Sequence, residues 1–430
     1  MPMTIREKAA AAVHAQKAVL PSGLTVLCRT MPGYSTVHAM YATAFGSTTR
    51  DFLLDGRPVH LPAGTAHFLE HKMFESEQGD ALELFARTGA SANAYTSWDS
   101  TCYLFSATSR FDENLDILLQ MVAHPWFTTG TIAKEQGIIG QEIKMYEDSP
   151  DWRLTTASFR CLYRSDPIRE DIAGTVESIA QLTPELLYTC TDAFYQPGNM
   201  VLSVAGNISL ERVLAACRRA GLDRPGHHPA VTLTPFREQG PVPQHSMHFT
   251  MPVTRPCFSL AYREPPLAFG DVRRAMILDV VTELVCGGLT DLYRRLYDGG
   301  LVNPEFSSDY ASTRTACTVF FTGESSQPEQ VADMLRAEIA RLRREGVDPR
   351  LFTLVKNEMY GDLLAMLENV ESAANHMQAA FLKGATVEEE IAALAALTPA
   401  DVDGALQTML LPEWEAFVRI DPSGQELTPE

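Results

Sequence analysis

The 430-residue sequence predicts an α+β protein of two homologous α/β-sandwich domains, each an antiparallel-rich sheet packed with helices. The main observation is an internal repeat at an offset near 215 residues. The Leu-Thr-Pro triplet that begins at Leu182 returns at Leu397, and the strand-like run at Tyr95 aligns with one at Tyr310. Repeats of this length are typical of two like-folded domains, each with its own core.

A change of composition between the two copies predicts the domain boundary. Residues 226–243 are rich in Pro and Gly, which favour turns and linkers over regular structure. We therefore expect a first domain at 1–225, a linker at 226–243 and a second, homologous domain at 244–430.

Local patterns predict the elements of the first domain. A Ser-Gly turn between two apolar runs predicts a hairpin within residues 18–28. Elsewhere, 3.6-residue apolar periodicity predicts helices, and β-branched or aromatic runs predict strands. The expected helices are 1–16 (helical in character), 80–88, 111–122, 134–146 and 183–194, and the expected strands are 36–45, 92–97, 101–106 and 199–204.

Composition excludes several classes of function. The formal net charge of −19 argues against nucleic acid or an anionic membrane surface as a partner. The 8 cysteines are scattered and form no C-x-x-C pair, so a zinc–thiolate site or a disulfide framework is not expected. We find no secretory signal and no transmembrane run, and we therefore expect a cytoplasmic protein.

The stretch from Gly64 to Phe74 contains the pattern H-x-x-E-H. His67 and His71 are four residues apart, so a helix places both imidazoles on one face, with Glu70 beside them. Imidazole nitrogens are common zinc ligands, and a carboxylate not used for coordination can accept a proton from an attacking water. Thr65 is a candidate N-cap for this helix. The alternative is an amphipathic helix with two solvated histidines.

A third ligand is available on the predicted helix 134–146. Glu135 and Glu142 are seven residues apart, about two helical turns, so both carboxylates lie on one stripe. Two histidines and a glutamate form a catalytic zinc set in which the fourth position is open to water. Helix geometry alone does not choose between the two glutamates.

Several motifs together resemble the insulinase/pitrilysin family of zinc peptidases, in its half-size branch of processing peptidases and bacterial relatives. The motifs are His67-Phe-Leu-Glu-His71, Asn93-Ala-Tyr-Thr96, the Glu135–Glu142 run, Ala173-Gly-Thr-Val-Glu177, Phe194–Met200 and Leu296–Leu301. At the repeat offset, the H-x-x-E-H pattern falls on Glu283–Gly287, which contains no histidine. The second domain is therefore expected to lack the metal.

The resemblance implies a role for each motif residue. It implies zinc ligands in His67, His71 and Glu142, a catalytic base in Glu70, a supporting carboxylate in Glu135, and a substrate-holding strand edge at Asn93 and Ala94. The expected cofactor is one Zn²⁺ per chain. The expected function is hydrolysis of unfolded peptides by a zinc endopeptidase. The alternatives are a non-catalytic structural subunit of a larger complex and a peptidase dedicated to maturing one peptide.

The second domain departs from the family pattern at one place. Family members carry an Arg and a Tyr that reach over the substrate, and here Tyr297 and Asn303 stand at those positions. Arg294, Arg295 and Tyr310 lie nearby, but no role follows for them. We therefore expect a dimer with a related chain that supplies the missing pair, or a homodimer.

Overall fold

The computed structural model describes residues 14–77, 79–226 and 228–424. The described residues form two compact units, each discontinuous in sequence. The described residues of the first unit fall within Met1–Ile143, Asp171–Pro235 and Asp362–Glu389, and those of the second within Lys144–Glu170, Phe236–Gly361 and Glu390–Glu430. The helical character predicted for residues 1–16 lies outside the described residues up to residue 13, and Gln16 begins the first strand.

The strands of the described residues follow in chain order. They are β1 (Gln16–Val19), β2 (Thr25–Thr30), β3 (Val37–Thr43), β4 (Asp51–Leu54), β5 (Arg57–His60), β6 (Glu75–Ser76), β7 (Gly79–Asp80), β8 (Ser91–Thr96), β9 (Thr101–Ala107), β10 (Met200–Gly206), β11 (Val231–Leu233), β12 (Ser246–Met251), β13 (Cys257–Glu264), β14 (Ser307–Ser312), β15 (Cys317–Glu324) and β16 (Glu415–Pro422).

The α-helices of the same residues are interleaved with these strands. They are α1 (Thr65–Lys72), α2 (Ala81–Thr88), α3 (Phe111–Ala123), α4 (Thr129–Glu147), α5 (Pro150–Leu162), α6 (Val176–Ile179), α7 (Pro184–Phe194), α8 (Leu210–Arg219), α9 (Val272–Cys286), α10 (Asp291–Asp298), α11 (Pro328–Glu345), α12 (Pro349–Leu367), α13 (Val370–Leu382), α14 (Val387–Ala396) and α15 (Pro399–Leu406). Short 3-10 turns occur at Pro167–Arg169, Pro197–Asn199 and Pro412–Trp414.

The first unit is built on a sheet whose strand order, in the described residues, is β1-β2-β10-β3-β9-β8. β2 and β10 run parallel, whereas the other neighbours pair antiparallel. Every residue of β3 and β10 is buried, as expected where both faces of a sheet are covered. Helix α13 packs on β10 and β3, and α3 packs on β9 and β3. β8 ends the sheet, so one of its edges is open.

The second unit repeats this topology. Its sheet, within the described residues, has the order β12-β16-β13-β15-β14, with β12 and β16 parallel and the other neighbours antiparallel. Strand for strand, this matches β2-β10-β3-β9-β8 of the first unit. Helix α5 packs on β13 and β16 in the place that α13 occupies in the first unit. The predicted fold class of two homologous α+β domains is therefore confirmed.

The contiguous boundaries predicted at 225 and 244 do not describe the compact units. Residues 144–170 belong to the second unit and residues 362–389 to the first. Ser158 of α5 donates a hydrogen bond to Ser259 of β13 (2.9 Å), and Ser203 of β10 donates one to the carbonyl of Ala374 in α13 (2.8 Å). The sequence pattern shows that α5 and α13 each have an apolar face, but it does not show which sheet that face covers.

The predicted linker is also partly ordered structure. Within residues 226–243, β11 pairs antiparallel with β4, and the Glu238 carboxylate accepts hydrogen bonds from the backbone N–H groups of residues 164–166. In the described part of the chain, no helix has the length and apolar character needed to cross a bilayer.

Candidate metal centre

Helix α1 carries the H-x-x-E-H pattern and is buried along almost its whole length. Its N-cap is Gly64, in the left-handed conformation (φ 85°), and not Thr65 as predicted. Thr65 is the first helical residue and donates its hydroxyl to the carbonyl of Pro62 (2.7 Å). Crowding explains why a glycine occupies this N-cap position: a Cβ on Gly64 would lie 2.4 Å from the carbonyl oxygen of Ala173, so no residue with a side-chain oxygen fits there.

The structure brings together the three side chains predicted as metal ligands. Nε2 of His67 lies 3.6 Å from Oε1 of Glu142, and Nε2 of His71 lies 3.4 Å from Oε2 of the same carboxylate. The ligand atoms of the three residues all lie within 4.8 Å of one another. Ligands about 2.0–2.2 Å from a tetrahedral zinc are separated by about 3.3–3.6 Å, so these two spacings match.

The imidazole orientation also suits a metal. Nδ1 of His67 is buried and has no hydrogen-bond partner within residues 14–77, 79–226 and 228–424, whereas its Nε2 faces Glu142. The two rings lie 4.7 Å apart between centroids, as expected for positions i and i+4 of a helix. Within the described residues, these three side chains form the only group of this kind that could hold a metal ion. The donor set therefore fits zinc.

Glu135 lies behind His71 and is not part of this three-residue group. Its Oε1 lies 3.0 Å from Nδ1 of His71, so it holds the proton on Nδ1 and leaves Nε2 free to coordinate. Burial opposes protonation of His71, but the hydrogen bond to Glu135 and the charges of Glu70 and Glu142 outweigh it and raise the pKa of this histidine. The two glutamates of α4, which sequence geometry could not separate, thus occupy different positions.

Glu70 lies on α1 with the two histidines and is not part of the three-residue group. Its side chain is buried, and its Oε2 accepts a hydrogen bond from Thr96 Oγ1 at 2.9 Å. Burial raises the pKa of Glu70, an effect that His67, the Thr96 hydroxyl and His71 partly offset. A buried carboxylate with a raised pKa suits a group that takes and releases a proton near neutral pH. The Thr96 contact is one that sequence reasoning missed, since the motif gave no role to that residue.

Asn93 and Ala94 lie on β8, as predicted. Among the strands that the structure describes, β8 pairs with β9 alone and is the last strand of its sheet. Asn93 is exposed, and its Oδ1 accepts a hydrogen bond from the Ala94 N–H (2.9 Å), so that N–H is not used in the ladder to β9. An open strand edge of this kind can accept an extended peptide as an additional strand.

In the second unit, Tyr297 and Asn303 stand at the positions where the family carries an Arg and a Tyr. Tyr297 is 47% exposed and stacks on Tyr293, with ring centroids 6.0 Å apart. Asn303 donates a hydrogen bond to Glu324 (3.3 Å).

Comparison with known proteins identifies the family. Residues 61–176 match the family described as Insulinase (Peptidase family M16), and residues 181–359 match the domain described as Peptidase M16 inactive domain. The "uncharacterized zinc protease YmfH" of Bacillus subtilis (strain 168) is 33% identical over 394 residues, which cover 90% of this chain and 92% of that protein.

Solved structures agree with these matches. An M16-like peptidase from Alicyclobacillus acidocaldarius superposes with a TM-score of 0.92 at 30% identity, over 95% of this chain and 98% of that one. Pitrilysin superposes with a TM-score of 0.74 at 16% identity, over 96% of this chain and 45% of the pitrilysin chain, which is a likeness of fold. From its motifs, its sequence relatives and its fold, the chain belongs to the insulinase family of peptidases, family M16.

Proposed function

We propose that this chain is a zinc-dependent endopeptidase that hydrolyses unfolded peptides. The observation that carries the proposal is the convergence of His67, His71 and Glu142, with Glu70 beside them and outside the ligand set. These residues stand at the motif positions of the family to which the chain belongs. His67, His71 and Glu142 would hold the zinc, with Glu135 fixing the ring of His71.

When bound, zinc would supply a Lewis acid that polarises the scissile carbonyl and makes the attacking water easier to deprotonate. Glu70 would take the proton of the attacking water and pass it to the leaving amine. The hydroxyl of Thr96 would keep the Glu70 carboxylate in one orientation between these transfers. The raised pKa of Glu70 favours the first of these transfers, because the carboxylate accepts a proton more readily than a solvated glutamate does.

The substrate would bind along the open edge of β8. A peptide added there is extended, and only an unfolded segment can present its backbone in this way. Because Thr96 is the last residue of β8 and also bonds Glu70, the docking strand ends at the proposed base. This arrangement supports an endopeptidase that acts on unfolded chains.

The test is peptide hydrolysis by the purified chain, measured on a randomised peptide library with and without a zinc chelator. We expect cleavage of many peptides, loss of activity with chelator and recovery when zinc is restored. Cleavage of one sequence alone would support a dedicated maturation peptidase. No cleavage under any condition, by a chain that retains zinc and is mixed with candidate partner chains, would support a non-catalytic subunit.

A further inference from the structure

The two helices that carry the proposed ligands come from separate stretches of the chain, and a third segment contacts both. His67 and His71 lie on α1, whereas Glu142 lies on α4. Residues 174–179, which include α6, contact the residues that precede α1 and also the middle of α4. We call this segment the brace.

On the α1 side, the brace makes a backbone contact that excludes side chains. Gly64 and Gly174 both have positive φ, 85° and 75°. A Cβ on Gly174 would lie 2.5 Å from the carbonyl oxygen of Ala63, which leaves no room for one. Ser178 adds a hydrogen bond from its Oγ to the same carbonyl (2.8 Å). The start of α1 is therefore fixed to the brace.

On the α4 side, a side-chain hydrogen bond ties the helix to the brace. Nε2 of Gln136 donates to the carbonyl of Ile179 at 3.0 Å. Gly140 is buried near Val176, but a Cβ built on it would meet Cγ2 of Val176 only at an ordinary van der Waals distance of 3.9 Å. Gln136 lies on the same helix as Glu142, so its hydrogen bond ties the helix that carries the proposed ligand to the brace.

The brace itself has a defined local structure. Thr175 and Ser178 form a capping box, in which the Thr175 Oγ1 accepts from the Ser178 N–H (3.1 Å) and the Ser178 Oγ accepts from the Thr175 N–H (2.8 Å). Such reciprocal caps fix the first turn of a helix. The residues that contact α1 and α4 thus belong to one short helical turn with a defined cap.

We propose that Gln136 and Ser178 are positioning residues for the metal centre: through the brace they hold α1 and α4 at the separation that brings Glu142 to His67 and His71. The inference rests on the proposed function, because it takes zinc as the occupant of the site. Zinc sites require ligand distances within about 0.2 Å of ideal values, so a small shift of α4 should weaken binding. Neither residue touches the metal position, and both act through the helices that they hold.

The test measures zinc affinity by chelator competition in Gln136→Met and Ser178→Ala, with the full-length chain. Methionine keeps the length of Gln136 but cannot donate to Ile179. We expect the Kd for zinc to rise about tenfold in each variant. Loss of a hydrogen bond that supports a metal ligand typically lowers metal affinity by about 10–100-fold, and these two residues act less directly. Because both residues act through one brace, the double variant should bind zinc about as weakly as either single variant.

The control is Gln141→Met, the same change on the same helix. Gln141 is exposed and lies beside Glu142, and the zinc affinity of this variant should equal that of the wild type. Melting of the zinc-free proteins separates positioning from general stability, and we expect the four variants to melt within a few degrees of the wild type. A Kd within twofold of wild type in Gln136→Met and Ser178→Ala, or an equal rise in Gln141→Met, would overturn the inference alone. A wild-type chain that binds no zinc would overturn the proposed function as well.

Discussion

At the scale of single residues, the site depends on two glutamates of one helix that have different neighbours. Glu142 faces the Nε2 atoms of both histidines, whereas Glu135 is bonded to the far nitrogen of His71. The stripe on α4 is visible in the sequence, because seven residues make about two turns. The assignment of each carboxylate needs the direction of α4 relative to α1, which no local pattern contains.

The two glutamates should therefore respond differently to the same change. In Glu142→Gln, one anionic ligand becomes a neutral amide, and zinc should be lost at a modest chelator concentration. In Glu135→Gln, the amide oxygen can still accept from His71 Nδ1, so affinity should fall by about 10–100-fold at most. Chelator titration of both variants with a zinc-sensitive dye measures this. A weaker affinity in Glu135→Gln than in Glu142→Gln would contradict the assignment.

At the scale of elements, much of the first unit follows from sequence. The hairpin of β1 and β2, the strands β3, β8, β9 and β10, and the helices α2, α3, α4 and α7 all lie where periodicity and turn residues predicted them. The site helix was also predictable, because its chemistry is confined to five consecutive residues.

Other elements were not predictable for identifiable physical reasons. β4 and β5 pair antiparallel, and this hairpin was missed because its strands are only four residues long and carry little apolar alternation. Gly64 caps α1 because of a contact with Ala173, more than a hundred residues away in sequence. Likewise, α5 belongs to the second unit and α13 to the first. Each helix covers a sheet that is distant in sequence, and an apolar helix face does not indicate which sheet it covers.

The open edge of β8 gives a prediction at the same scale. The N–H of Ala94 donates to the neighbouring Asn93 side chain, and the alternation that starts from the Ser97–Ser100 hydrogen bond turns this N–H away from β9. Ala94→Pro therefore removes a donor from the open edge and spares the ladder to β9. We expect KM for peptides to rise at least tenfold, with zinc content unchanged. Steady-state kinetics measure KM and elemental analysis measures zinc content. Ala86→Pro, inside α2, is the control that shows how these two values change when the fold itself is damaged. An unchanged KM in Ala94→Pro would show that peptides do not bind along this edge.

At the scale of the whole molecule, the two units share a topology, but the candidate metal centre of the described residues lies in the first unit. The proposed zinc ligands, the proposed base and the open edge belong to the first unit, whereas the second repeats its topology without the H-x-x-E-H pattern. Tyr297 and Asn303 occupy the positions of the Arg and Tyr that the family uses over its substrates. We therefore propose a dimer in which a related chain, or a second copy, supplies these donors.

The pairing can be tested by mixing. A donor aimed at the developing oxyanion contributes about 2.7–4 kcal/mol, or about 10²–10³ in kcat. The chain alone should be slow, and adding a relative that has the Arg/Tyr pair but lacks H-x-x-E-H should raise kcat by about that factor. Sedimentation of the mixture reports whether a complex forms. Full activity from a monomer, unaffected by any relative, would exclude the pairing, and full activity from a homodimer would assign the donors to a second copy.

The central claim is that His67, His71 and Glu142 hold zinc while Glu70 moves the proton. Its most direct test is the variant Glu70→Gln, assayed for zinc content and peptide hydrolysis on the same preparation, with the exposed Glu83→Gln as control. Because the amide can still accept from Thr96 and is not a ligand, we expect wild-type zinc content and hydrolysis reduced to background. Loss of zinc in Glu70→Gln, or hydrolysis at the wild-type rate, would contradict the account.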